Sequence, residues 1–164
     1  MSANAQTAIA HGIAGSKWMI ERFCHDLTVE EWHHRPCTGA NPAAWILGHL
    51  ILTQRQFLGM VGSDKLPDLP EGFEGKFPRD KTAADAATDF GDVAQLLPIF
   101  AEHCDLLAAA VMAASDEALG SDLENAFGPN KTVSDALIFA GLHVASHAGH
   151  ISTIRRSLGK PPVV

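Results

Sequence analysis

The chain has 164 residues, 46% of them hydrophobic, enough for a single domain spanning 1–164 around one continuous core. A net charge of −7 with the histidines neutral leaves no basic surface to neutralise phosphates, so no nucleic-acid partner is expected. Cys24, Cys37 and Cys104 are far apart and odd in number, which excludes a secretory disulfide framework and a C-x-x-C pair; they read as thiols in a reducing cytoplasm.

The opening "MSANAQTAIAHGIAGSKWMIERF" places His11 and Lys17 where a signal peptide needs an unbroken apolar run. No stretch reaches the roughly 18 consecutive apolar residues of a membrane span. A soluble cytoplasmic protein without a membrane partner is therefore expected. From about Ala5 to Asp26, Ile9, Ile13, Met19, Ile20 and Phe23 recur at steps that predict the first long helix. "LTVEEWHHRP" offers Thr28 and Glu31 as a capping box for a short helix that Pro36 ends. Asn41 as N-cap with Pro42 at the first helical position then predicts a second long helix to about Val61.

The Gly-, Pro- and charge-rich segment from Gly62 to Lys81 predicts a loop of about 20 residues, long enough to act as a cover. Within it, Phe73 and Phe77 read as hydrophobic anchors or as an apolar wall. From Thr82 to about Ala114 an alanine-rich pattern predicts a third long helix, kinked at Pro98. After a connection, Thr132 caps a fourth, with Asp135 three positions on adding negative charge to its first turn, and the helix runs to Gly159 ahead of Pro161 and Pro162. Nothing alternates with period two, so sheet is not expected. The fold class predicted is all-α, a four-helix bundle with short extra helices in its connections.

Nine histidines are an unusual supply. His11, His25, His33 and His34 fall near helix ends and turns and read as solvated residues, and His103 as a packed or hydrogen-bonded one. "HVASHAGHISTIRRSLG" differs, because His143, His147 and His150 recur at steps of four and three along one helical face that also holds Phe139 and Ile154. Such spacing lets two ring nitrogens reach one ion. It suits any pair of the three, and a further donor must come from another helix. His49, alone among Trp45, Leu52 and Gln56 on an apolar face of the second helix, is the candidate. Buried imidazoles favour the neutral form, which is the form that ligates a metal. Arg155 and Arg156, at the end of the last helix, suit its dipole.

"NPAAWILGHLILTQRQFLG" and "HVASHAGHISTIRRSLGKPP" together resemble the two motifs of the DinB-like or YfiT-like family of metal-dependent enzymes. The resemblance covers most of the chain. It implies an up-down-down-up bundle, frequently a homodimer, with a divalent metal held by His49, His143 and His147. Two departures stand out. His150 occupies the place of the family's usual amide, and Ala148 that of a frequent arginine.

Characterised relatives include thiol S-transferases and a mycothiol-dependent isomerase. The resemblance therefore implies zinc or nickel, a low-molecular-weight thiol cosubstrate and a small-molecule substrate. A second expectation is a metal-dependent hydrolase in which the metal activates water and His150 or Glu102 shuttles protons. A third is a non-catalytic stress-associated or binding protein with a structural metal site.

Overall fold

Asn4 accepts a hydrogen bond from the backbone amide of Thr7 at 2.9 Å and starts helix α1, Ala5–Cys24. The protein is seen in a computed structural model that describes residues 4–63, 66–77 and 89–163. Thr28 and Glu31 form the expected reciprocal capping box of α2, Val29–Trp32. The second long helix, α3, is Ala43–Met60. It departs from expectation at its start, since Pro42 is itself the N-cap and no side chain caps the helix there. A prolyl residue at the boundary already fixes φ, so the chain can enter the helix without Asn41 serving that role.

The expected loop contains one turn of helix, α4, Phe73–Lys76. Phe73 and Phe77 are both buried, their ring centroids 4.7 Å apart, and Phe77 stacks on Phe90. They are anchors. Phe77 lies so close to Gly48 that a Cβ there would stand 2.2 Å from its ring. The glycine is what lets this segment lie flat on α3.

Residues 82–88 of the expected third helix lie outside the described residues. Beyond them Asp89–Asp92 are not helical, a 3-10 turn follows at Val93–Gln95, and α5 is Leu96–Ala113. Pro98 is therefore in the first turn of α5, where the backbone N–H has no intrahelical acceptor to lose, and the kink expected there has no cause. By length and composition, Val93–Ala113 would suffice to cross a membrane. Glu102 and Asp105 interrupt it, and its stripe of Leu96, Phe100, His103, Leu107 and Val111 is buried in the bundle.

A short helix, α6 (Asp116–Gly120), leads into a two-stranded antiparallel hairpin of β1 (Asp122–Phe127) and β2 (Asn130–Thr132). This corrects the expectation of no sheet. Gly128 takes a positive φ of 55° in the turn, and the Asn130 side-chain amide donates to the Phe127 carbonyl at 3.1 Å. The hairpin is fastened to the last helix by Phe127, whose ring meets Phe139 edge-on at 5.4 Å. That helix, α7 (Val133–Ser157), is capped by Thr132 as expected, Asp135 completes a capping box by accepting from the Thr132 amide, and Gly159 follows with a positive φ of 75°.

Among the described residues the protein is mostly helical, an all-α fold with one small hairpin. α1 packs chiefly on α5 and α7, and α3 on the same two helices, so the four long helices close into a ring with α3 across from α1. Gly141 abuts the backbone of Gly12 and Arg155 reaches the Phe23 carbonyl, so α1 and α7 run parallel. Gln6 donates to Ala114 and Lys17 to Asp105, so α1 and α5 are antiparallel. An up-down-down-up bundle requires both relations.

Candidate metal centre

α3 and α7 touch along one side of the ring, and there they bring together His49, His143 and His147. The Nε2 of His143 is 3.3 Å from that of His49 and 3.2 Å from that of His147. One donor atom from each of the three rings lies within 4.8 Å of the others. The rings meet edge to face, with centroids 4.7–5.2 Å apart. Residues ninety-four positions apart in sequence thus converge on one point.

An imidazole Nε2 carries either one hydrogen or one lone pair. The Nε2 of His143 therefore cannot form hydrogen bonds to both neighbours at once. A single cation among the three atoms satisfies all of them. Two nitrogens bound tetrahedrally at about 2.0–2.1 Å from one ion stand about 3.3–3.4 Å apart, which matches the observed separations. The donor set therefore fits a divalent transition metal.

The electrostatics agree with this fit. Burial, and after it the neighbouring His143, His49 and His150, push the pKa of His147 down to about 3. Its Nδ1 is buried without a hydrogen-bond partner among the described residues. The ring is neutral at physiological pH and keeps a lone pair for a metal. Packing fixes the other two rings. Trp45 stacks on His49 with centroids 5.0 Å apart and planes 8° apart, and Phe139 stacks on His143 at 5.7 Å.

The histidine face of α7 is less deeply set than the spacing suggested. At about 100° per residue, Phe139 and His150 lie within about 20° of each other and about 125° from the middle of the line of Ala140, Val144, Ala148 and Ile151 that enters the core. Both are exposed, His143 and His147 are half-buried between, and Ile154 is buried. His150 still touches the site, its ring edge-on to His147 at 5.2 Å. Ala148 is fully buried.

Glu102 is exposed on α5, a helix that packs on α1 and α3. His11, His25 and His33 are exposed, and His34 is half-buried beside Ser157, 2.9 Å away. His103 is completely buried, and its Nδ1–H donates to the Ile99 carbonyl at 2.8 Å. Burial lowers its pKa, as a packed neutral histidine requires. Cys24 and Cys104 are buried, and burial pushes both thiols far up; Cys37 is exposed. The stacking partner of His143 was missed as such in the sequence. The signal for it was Phe139, exactly one i, i+4 step before the histidine.

A family model, that of the DinB superfamily, matches residues 19–151, a span that contains all three converging histidines. No curated protein and no solved structure matches the chain.

Proposed function

The chain belongs to the DinB superfamily, and from that premise we propose that it is a divalent-metal-dependent enzyme of the thiol S-transferase type. His49, His143 and His147 would hold zinc or nickel through Nε2. The observation that carries the reading is the pair of short contacts onto one Nε2 of His143, which hydrogen bonding cannot satisfy. Three neutral ligands leave the charge of a divalent cation undiminished and a coordination position unused. Bound there, the metal would stabilise a low-molecular-weight thiol as thiolate at neutral pH.

The chain's own residues prepare that step. Trp45 and Phe139 hold two of the rings in place by stacking, and the hairpin supports Phe139 through Phe127. His150, exposed and in contact with His147, stands where a proton passes between site and solvent. The substrate is a small electrophilic molecule, and the protein works in the cytoplasm as a homodimer.

Protein purified without a nickel column, loaded with zinc or nickel and offered a panel of electrophiles with and without thiols, tests the reading. Turnover that requires a thiol and disappears in His147→Ala is expected. Turnover indifferent to thiols contradicts it and assigns the centre to hydrolysis.

A further inference from the structure

Between the parallel helices α1 and α7 lies a groove of about 630 Å³. It faces away from the metal centre, because His143 and His147 each stand two residues after a groove residue, Gly141 and Ala145, and so about 160° around α7. Small residues such as Gly12, Gly15 and Ala145 line it together with Met19, Ile138 and Leu142, and the last two are 51% and 63% exposed. A Cβ at Gly12 or Gly15 would meet nothing within 4 Å. Packing among the described residues therefore does not call for glycine at either place, although glycine weakens a helix interior. No aspartate, glutamate, lysine or arginine lines the groove.

Two cations stand beyond one end of it. Arg22 follows Gly15 by seven residues and lies within about 20° of it around α1, and Arg156 follows Ile138 by eighteen, in line with it on α7. Both are exposed, and neither forms an ion pair or a side-chain hydrogen bond among the described residues. Asp26, at the same end, is already bonded to Arg155 and Lys160. Carbonyls there are also occupied: Arg155 donates to Phe23, and the Leu158 and Lys160 amides to Ile154 and Arg155.

An uncharged trough about 21 Å long, from Ala5 to Met19 at 1.5 Å per residue, thus leads to two guanidinium groups. A second copy laid antiparallel across it would carry its arginines to the end lined by Ala5 and Ser134, where no lining residue is a carboxylate. Laid parallel, it would set arginine against arginine. An anionic membrane surface is repelled by the net charge of −7.

We infer that this groove binds a free single-chain carboxylate, its alkyl chain along the trough and its head group between Arg22 and Arg156. Carboxylate and guanidinium match as planar, bidentate partners, and the chain gains by leaving water. The site is independent of the histidine centre.

Calorimetric titration of the metal-free protein with octanoate, decanoate and laurate, each below its micelle-forming concentration, tests it. One laurate per chain is expected, with affinity rising about two- to fourfold for each added methylene. Dodecanol, which lacks the charge, should bind about fivefold more weakly than laurate, and so should laurate to the Arg22→Gln/Arg156→Gln double variant. Gly15→Leu fills the trough and should abolish binding without lowering the melting temperature, since its Cβ meets nothing in the fold. His147→Ala should bind laurate as the wild type does. Absence of laurate binding, affinity indifferent to chain length or to the charge of the head group, binding retained by Gly15→Leu, or binding lost in His147→Ala overturns the inference. So does binding to phosphatidylglycerol vesicles in place of free laurate. Self-association in sedimentation that Leu142→Glu abolishes and laurate does not displace gives the face to a second copy and overturns it too.

Discussion

Arg155 and His147 lie eight residues apart on α7, one buried and the other half-buried, yet their surroundings are built in opposite ways. Arg155, buried to 3%, donates to both oxygens of Asp26 and to the Phe23 carbonyl. Lys160 joins Asp26 to Glu31, 3.6 and 3.0 Å away. Charges of both signs meet, and the cluster ties the end of α1 to the end of α7. The histidine cluster contains donors of one kind only, with short contacts that no arrangement of their own hydrogens satisfies. In the arginine cluster the charges balance within the protein, although the Arg155 Nε has no hydrogen-bond partner among the described residues. In the histidine cluster nothing of opposite charge meets the three converging nitrogens, and a cation is the part that would complete it.

Substitutions can break that contrast. The largest effect is expected from the metal: at a thousandfold excess over its Kd, a bound ion stabilises the folded state by about 4 kcal/mol. Melting of the wild type should rise accordingly on addition of zinc, and His147→Ala should show no rise. A rise of equal size in the variant would remove the histidines from the site. Asp26→Ala should act the other way, lowering stability by about 3 kcal/mol with or without metal because it leaves a buried guanidinium unpaired. The partial exposure of Asp26 places the loss at the low end for a buried pair. Denaturant unfolding of the metal-free variant checks it, and an unchanged midpoint would mean that the cluster contributes nothing.

Gly48→Ala sharpens the contrast from a third position. The added methyl meets the Phe77 ring, so a loss of about 1–3 kcal/mol is expected, while metal affinity, measured by competition with a chromophoric chelator, should hold. A loss of metal affinity of tenfold or more would show that the Phe73–Phe77 segment positions His49. The smallest effect concerns pH. The Arg155 guanidinium bonded to Asp26 holds its carboxyl below the usual carboxylate range. The folded pKa is then lower than the unfolded value of about 3.9, so the stabilisation is complete above about pH 4 and is lost as pH falls through the folded value. The difference in melting temperature between wild type and Asp26→Asn should therefore narrow below about pH 4; a constant difference contradicts this role.

Local chemistry made much of this structure legible in the sequence. The caps at Thr28 and Thr132 need only residues three apart, and both form, each as a full capping box. The histidines were legible because i, i+4 spacing defines a face, although their convergence with His49 came from family resemblance as much as from pattern. What escaped depended on contacts between distant residues. The hairpin's inward-leaning Leu123 and Phe127 are four apart, so no period of two announced a strand that Phe139 holds in place. Pro98 reads as a kink only if the helix begins at Thr82, and the same proline that breaks a helix interior is harmless in a first turn. Arg55 and Glu74 line one cavity only because one turn of helix, α4, forms within what reads as a loop.

The most direct test of the central claim is X-ray absorption spectroscopy of the metal-loaded protein, prepared without a nickel column. It is expected to show a single metal with three imidazole nitrogens at about 2.0–2.1 Å and a lighter or exchangeable ligand completing the shell, replaced by sulfur when a thiol is added. A metal with no imidazole neighbours, or one whose four protein ligands remain unchanged by any thiol, would contradict it.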